Sequence, residues 1–414
     1  MVIHYYQQFF TGPQAPGPTT PRKFMEYLAQ RDNTVHVIAT DYNVYTEQSE
    51  YPELRSYTAA GSIAVHRIPS PRGLRQSLRA RLRTYLGFLL PAYRYAKHLP
   101  APDIVLGSIQ PLFTGLLAYH MAQRARAPFF LEVRDLWPDA LQAKGAISPL
   151  AAAPLQRIAQ FLYRKAKRIA SLTPGIADEL IKKGVDPTLI DVFPNGYDPV
   201  LLPTDTRARI RSERGWGDQF VAIFVGTHVE VTAIDTIVKA ASMLHGRPDI
   251  RFELFGKGQQ KAAAIQLARN LDLRNIHFND PVPKAVVPEL LAGADAALMT
   301  LFKSPLINIY FENKLVDYLG AGKPILAAMD GMQSELIARN RAGLTVASLD
   351  YQGLARIVAY AADHPAEARQ LGANGHAVAC QHLLLTTILD HYAQALRHVA
   401  YGRSAQLPVW KPAL

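Results

Sequence analysis

Two successive series of short apolar runs, each run separated from the next by a helical stretch, constrain this chain more than any other feature. In the first half the runs are Val2–Tyr6, Val35–Thr40, Ala64–Pro69, Asp103–Ser108, Pro128–Val133, Arg168–Thr173 and Ile190–Pro194. Helical stretches at Pro21–Gln30, Leu112–Arg126, Leu150–Lys167 and Pro174–Lys183 lie between most of them. Strands that alternate with helices imply parallel pairing through right-handed crossovers. Asp198 to Gly217, with two prolines and two glycines among charged residues, reads as a linker and a surface helix. The pattern then restarts. Runs at Phe220–Gly226, Phe252–Gly256, Ile276–Asn279, Ala296–Leu301, Pro324–Ala328 and Leu344–Ala347 enclose helices at Ala233–Leu244, Gln259–Asn270, Pro283–Ala292, Lys314–Gly320 and Tyr351–Ala362. A last helical run, Leu385–His398, has no strand partner. The expected class is α/β: two doubly wound domains at 1–198 and 199–384, with 385–414 a C-terminal helix packing back on the first. Ligands of such sheets bind at the carboxyl ends of the strands, which places a cleft between the two domains.

Composition removes several function classes. A single cysteine, Cys380, forbids an internal disulfide and argues against a cysteine-based metal site, which suits a reducing cytoplasm. The N-terminal MVIHYYQQFF lacks the charged and apolar regions of a signal peptide, and no uncharged apolar stretch reaches the length of about 18 residues needed to span a bilayer. The net charge of +11 is localised. Between Arg55 and Pro102 there is no Asp or Glu, while nine Lys and Arg residues fall there.

The most informative block is residues 311–325, FENKLVDYLGAGKPI. It reads as a short helix from Asn313 to Leu319, stopped by Gly320 and Gly322, with Pro324 opening a strand. Asn313 suits an N-cap, which would turn free N–H groups and the positive dipole end toward a phosphate. Lys314 adds a cation at the same end, and Asp317, one turn along, can accept hydrogen bonds from vicinal hydroxyls. A capped surface helix with a solvated Asp satisfies the same string.

This block resembles the donor-binding block of glycosyltransferase family four, of the form S-K-L-x-E-Y-L-A-A-G-K-P, whose fold, GT-B, is two doubly wound Rossmann-like domains facing across a cleft. Other blocks resemble that family in the right order. Residues 170–177 resemble the strand-to-helix turn before the linker, and 192–198 its interdomain P-N-G-x-D turn, with Asn195 and Gly196. Residues 224–228 resemble the first strand and Gly loop of the nucleotide domain, with Gly226, Thr227 and His228, and 255–258 its G-x-G turn, with Gly256 and Lys257. VRDLWPD at 133–139 resembles a variant from enzymes of bacterial surface polysaccharides. The resemblance implies that these loops, with Asn313, Lys314 and Asp317, hold a nucleoside-diphosphate-sugar in the second domain. It implies catalytic roles for Arg134, at the place of the family's strand-end histidine, and Asp135, and retention of anomeric configuration.

Departures from the pattern are equally specific. The family's first acidic residue, eight positions before Asp317, falls on Ile309, and the Arg and Lys that clamp the diphosphate are absent from 227–234. Lys257, Lys261, Lys303 and Lys314 are the candidate replacements. The G-x-G at Gly256 and Gly258 has no third glycine, which argues against NAD or FAD. No D-x-D triplet occurs, so the expectation is no metal and no cofactor, the leaving diphosphate, expected to be UDP, being stabilised by dipoles, N–H groups and lysines.

Between Arg72 and His98, Leu74, Leu78, Leu82, Leu86 and Leu89 form a helical stripe, with Arg75, Arg79 and Arg83 beside it and Gly73, Gly87 and Pro91 limiting helix length. That composition suits a helix on an anionic membrane surface. A core helix with an arginine-rich outer face is the alternative; nothing like a nucleic-acid recognition module surrounds the arginines. The leading expectation is therefore a cytoplasmic glycosyltransferase, peripheral on the inner face of the plasma membrane, acting on a polyprenyl-diphosphate-linked saccharide acceptor in polysaccharide biosynthesis. A nucleotide-sugar epimerase of the same fold and a two-domain sugar-binding protein are the rivals.

Overall fold

The computed structural model describes all residues except 13–19, 45–46, 50–57, 60–61, 75, 144, 146, 305, 307–310, 403–408, 411 and 413–414. The chain divides into two compact units, Met1–Pro194 with Thr387–Lys411, and Asn195–Thr386 with Pro412–Leu414.

The first unit runs β1 (Val2–Tyr6), α1 (Thr20–Ala29), β2 (Thr34–Thr40), β3 (Thr58–Ala59), β4 (Ser62–Ile68), α2 (Leu78–Ala96), β5 (Ile104–Ser108), α3 (Leu112–Ala125), β6 (Phe129–Val133), α4 (Asp139–Ala143), α5 (Pro149–Lys165), β7 (Arg168–Ser171), α6 (Pro174–Lys182) and β8 (Ile190–Val192). Its sheet has the order β3-β4-β2-β1-β5-β6-β7-β8, parallel except for the two-residue edge strand β3. The order reverses direction between β1 and β5, so the crevice at their carboxyl ends is the topological switch point of this unit. Every residue of β5 and β6 is buried, which is why these strands read as unbroken apolar runs.

The second unit runs α7 (Thr206–Arg214), β9 (Phe220–Val225), α8 (Ile234–Met243), β10 (Ile250–Phe255), α9 (Lys261–Asn270), β11 (Ile276–Asn279), α10 (Val287–Gly293), β12 (Ala296–Thr300), α11 (Asn313–Gly320), β13 (Ile325–Ala328), α12 (Met332–Arg339), β14 (Gly343–Val346), α13 (Tyr351–Asp363) and α14 (Pro365–His382). Its six parallel strands are ordered β11-β10-β9-β12-β13-β14, with the switch point between β9 and β12. A final helix, α15 (Leu385–Tyr401), begins here, and from Thr387 onward its residues belong to the first unit.

There Tyr392 packs against Phe24, Phe130 and Phe193, with ring centroids 4.6, 5.6 and 5.1 Å away. Its hydroxyl and that of Tyr5 both donate to the buried Glu132 carboxylate, at 2.6 and 2.5 Å. Burial first and the Glu132 charge second raise both hydroxyls well above the usual tyrosine range, which keeps them protonated donors. A buried carboxylate needs such donors to remain ionised at tolerable cost.

The expectation that Gly87 and Pro91 limit the basic helix is corrected. α2 runs through both for 19 residues. Proline removes one ladder bond and crowds the carbonyl four residues back, but that residue is Gly87, which has no side chain to add to the crowding. The helix is held by its buried Phe88, Ala92 and Ala96. On its underside, His4, His36 and His66 stand on the adjacent strands β1, β2 and β4. His36 and His66 ring nitrogens are 2.9 Å apart, and His66 Nδ1 lies 3.0 Å from the Tyr95 hydroxyl of α2. Burial is the main cause lowering all three imidazoles, with His4 and His66 down to about 4.

Candidate functional site

The loops after β9 and β10 are knitted together by backbone. Gly226 N donates to Phe255 O, His228 N to Lys257 O and Gln260 N to His228 O, each at 2.9 Å. The approach is so close that a Cβ on Gly256 would stand 1.8 Å from the Gly226 carbonyl oxygen, and one on Gly258 2.2 Å from that of His228. Both glycines also have φ near +155°, which side-chain-bearing residues rarely adopt. The G-x-G turn is thus explained by loop-to-loop packing. Lys261 completes the stitch, donating to Gly256 O and Asn279 O at 2.9 and 2.7 Å.

His228 is fully buried in this knot between the rings of Phe224 and Phe278. Neither ring nitrogen has a hydrogen-bond partner. Burial, then the charges of Lys261 and Lys314, push its pKa down to about 4, so it is neutral at pH 7. Thr227 and Lys257 are exposed.

α11 comes to this loop from the other side of the switch point. Tyr318, fully buried on α11, accepts from Val225 N at 2.8 Å and so ties the helix to the end of β9. Asn195 Nδ2 donates to Phe311 O at 3.3 Å and Gln333 Oε1 accepts from Glu312 N at 2.9 Å, fixing the helix start. A Cβ on Gly196 would overlap Leu385, whose N–H bonds Tyr197 O. Lys314 crosses to the glycine loop: its Cε is 3.2 Å from where Gly226 would carry a Cβ, and its ammonium lies 4.8 Å from the Phe224 ring centroid.

Three details of the helix differ from the sequence expectation. Glu312, in extended conformation, occupies the N-cap position, and Asn313 is the exposed first helical residue; no side chain caps the end. Asn313 would need the non-helical backbone that the chain gives to Glu312. Lys314 is not a loose cation either, being largely buried and ion-paired with Glu312. Asp317 is half-buried and paired with Lys284 rather than solvated. Ile309, at the place of the family's first acidic residue, lies outside the described residues.

Lys323 and Tyr318 are the functional-block residues that sequence reasoning left without a role. Lys323 is half-buried and its ammonium donates to Ala294 O and Ala292 O at 2.8 and 3.3 Å, closing the C-terminal carbonyls of α10. Burial lowers its pKa to about 8. The only signal for either was their place in the block.

In the first unit, Arg134 and Asp135 follow β6 directly and are half-buried; Arg134 lines a small void with Glu132, Ser171 and Tyr392. On α2, Arg79 and Arg83 are exposed, and Arg75 lies outside the described residues. The leucine stripe is shifted from its expected positions: Leu82, Leu86 and Leu90 are 45, 43 and 54% exposed, whereas Leu89 is half-buried. Among the described residues no helix is long and apolar enough to cross a membrane. Among them, too, no cluster of three or more His, Cys, Asp or Glu could hold a metal ion.

Two doubly wound parallel sheets, each with a switch-point crevice, define the GT-B class, and solved structures agree. Anabaena Alr3699/HepE, crystallised with UDP, superposes with a TM-score of 0.71 over 96% of this chain and 99% of its own, at 18% identity. The sequence matches the Glycosyl transferase 4-like domain over residues 18–196 and Glycosyl transferases group 1 over residues 219–364, and the chain belongs to this glycosyltransferase family. The D-inositol 3-phosphate glycosyltransferase of Streptomyces avermitilis is 28% identical over 50% of this chain and 47% of its own. A GDP-mannose-dependent α-(1-6)-phosphatidylinositol monomannoside mannosyltransferase of Mycolicibacterium smegmatis is 25% identical over 51% and 54%. The chain thus spans about half the length of the curated relatives it matches.

Proposed function

We propose that this protein is a retaining, metal-independent glycosyltransferase that moves a sugar from a nucleoside-diphosphate-sugar, a UDP-sugar in the first instance, to a membrane-held, polyprenyl-diphosphate-linked saccharide in polysaccharide biosynthesis. The observation that carries the donor half is the convergence of Lys314 and the uncapped start of α11 on the Gly226 loop at the switch point of the second unit. A helix N-terminus and an ammonium placed there stabilise a diphosphate, and do so most as charge develops on it when the anomeric C–O bond breaks. The acceptor hydroxyl oxygen forms the new bond on the face the diphosphate leaves, and its proton passes to a leaving diphosphate oxygen. Asp317 takes the ribose hydroxyls once Lys284 yields it; Gly226, Thr227, His228, Gly256, Lys257 and Asn313 shape the rest of the pocket. Arg134 and Asp135 act at the acceptor side. That relatives include a UDP complex and a lipid-directed mannosyltransferase supports both halves.

The exposed Leu82, Leu86 and Leu90 stripe with Arg79 and Arg83 beside it supports docking of α2 on an anionic bilayer at the cytoplasmic face. Calorimetric titration of UDP and uridine into wild type and Lys314→Ala tests the donor site. The expected outcome is a loss of about tenfold for UDP and little for uridine. Equal losses would remove the phosphate role of Lys314. Sugar turnover by wild type that needs no acceptor and yields a new UDP-sugar would favour an epimerase instead.

A further inference from the structure

At the opposite end of the second sheet from the donor crevice, a cavity of about 710 Å³ opens at the amino ends of β9 and β12, walled by α7 and by the junction of α13 with α14. The six residues of β9 put it roughly 20 Å from the Gly226 loop. No residue of the donor or acceptor reading lines it. Its polar lining is Thr204, Arg207, Arg211, Asp218, Gln219 and Asp295.

The two arginines are not equivalent. Arg211 is the inner one, 14% exposed, and all its nitrogens are bound: Nε to Gly217 O at 2.9 Å, one terminal nitrogen to Gly293 O and Asp295 at 3.0 Å each, the other to Gln219 O at 2.5 Å. Arg207 is 48% exposed. It donates to Ala292 O, Gly293 O and Ala294 O at 3.3, 3.4 and 3.0 Å and to Asp295 at 2.6 Å. Each of these partners has a second donor. Lys323 serves Ala292 O and Ala294 O, Arg211 serves Gly293 O and Asp295, and Val221 N also donates to Asp295, at 2.8 Å. Arg207 can therefore turn away without orphaning an acceptor, and an ion pair this exposed holds it only weakly.

The local charge favours an anion. Arg211 neutralises Asp295, which leaves Arg207 and, behind it, Lys323 against Asp218 at the exposed rim. Burial first and the Arg207 charge next lower Lys323 to about 8, as in a place short of negative charge. A guanidinium fork meets phosphate or carboxylate oxygens in pairs. Phosphate brings a second charge for the second cation, and hydroxyls on the same molecule can donate to Asp218. A cavity of this volume takes a small molecule rather than a lone ion.

We propose that this cavity binds a small phosphate monoester bearing hydroxyls, of the sugar-phosphate class, with Arg207 turning from Asp295 to its phosphate and Asp218 receiving a hydroxyl. The site is separate from the donor crevice, so it stands or falls independently of the transferase reading. Trp216 reports on it, being buried where α7 meets β9, with its N–H donating to Arg211 O at 2.9 Å and its carbonyl accepting from Gln219 N at 3.2 Å. The chain has three tryptophans, so protein grown with 5-fluorotryptophan gives a three-line fluorine NMR spectrum, assigned with Trp137→Phe and Trp410→Phe. The probes are glucose 6-phosphate, mannose 6-phosphate and glycerol 3-phosphate, with glucose and citrate as controls. At least one phosphate ester should shift the Trp216 line saturably and leave that of Trp137 in the other unit. Glucose should shift neither, and citrate should act more weakly. Arg207→Gln should weaken the response about tenfold. Its Trp216 transition in urea should stay where it is, because no acceptor loses its only donor. Lys314→Ala, in the donor crevice, should leave the response intact. No Trp216 shift with any of the three esters, or a shift that Arg207→Gln leaves unchanged, overturns the site. A shift abolished by Lys314→Ala would belong to the donor crevice and overturn it too, and citrate acting as strongly as the best ester would overturn the phosphate-ester class.

Discussion

Acid should loosen the first unit more than the second, because the histidine row on β1, β2 and β4 holds two imidazoles lowered to about 4 where the second unit has His228 alone at that value. His4 is 2% exposed, and its pKa falls from 6.5 to about 4 on burial beside His36 and His66. A base lowered in this way binds its proton more tightly in the unfolded chain. Its stabilisation is complete above pH 6.5 and is lost as pH falls from there toward 4. At pH 5 one such imidazole costs about 2 kcal/mol of stability. His66, 6% exposed and likewise lowered to about 4, adds less than the same again, since part of the lowering is mutual. Urea titrations at pH 7 and pH 5, followed by fluorine NMR of 5-fluorotryptophan, separate the units: Trp137 reports the first and Trp216 the second. The Trp137 transition should move to lower urea at pH 5 by the equivalent of about 2–4 kcal/mol. In the His4→Gln, His66→Gln double variant at least half of that shift should vanish. A full acid shift in the double variant would refute the reasoning, because the protons would then be binding elsewhere.

Gly320→Ala should destabilise the second unit by about 1–3 kcal/mol, since its Cβ would stand 2.2 Å from the Tyr197 ring; the Trp216 transition in urea measures it. Leu82→Ser, Leu86→Ser, Leu90→Ser should release the protein from anionic vesicles at any salt concentration, whereas Arg79→Ser, Arg83→Ser should weaken binding mainly below about 0.1 M salt. Flotation with vesicles of stated phosphatidylglycerol content reads both, and unchanged flotation in each would remove the bilayer from the account. Sugar transfer should persist in excess EDTA; loss of turnover that Mg²⁺ restores would show that carboxylates outside a D-x-D triplet hold a metal.

The order of strands and helices was legible because parallel strands buried on both faces must be apolar throughout, as β5, β6 and β12 are. α14 was not legible, and its composition says why. Its buried residues are Ala368, Gly372, Gly375, Val378 and Ala379, nearly all of them small, and they pack chiefly against α11 and the turn after it; a Cβ at Gly372 would fall 2.1 Å from the Gly322 carbonyl oxygen. A helix that packs through absent side chains has no apolar stripe to read. The donor block was recognisable as a string, but the division of labour inside it was not: which of Asn313, Lys314, Asp317 and Lys323 meets protein depends on Glu312, Lys284 and the end of α10. The histidine row and the aromatic rings were hidden for a related reason. His36 and His66 are thirty positions apart and become neighbours only through the register of β2 with β4. Tyr85 and Trp137 meet only because α2 lies across the carboxyl end of the sheet. That last contact ties the exposed stripe of α2 to the first unit. The helix that exposes Leu82 and Leu86 is the one that buries Tyr85 edge to face against Phe9 and Trp137. One helix thus carries an exposed apolar stripe on one side and a buried aromatic ring on the other, and the leucine spacing alone could not tell which side would meet the protein.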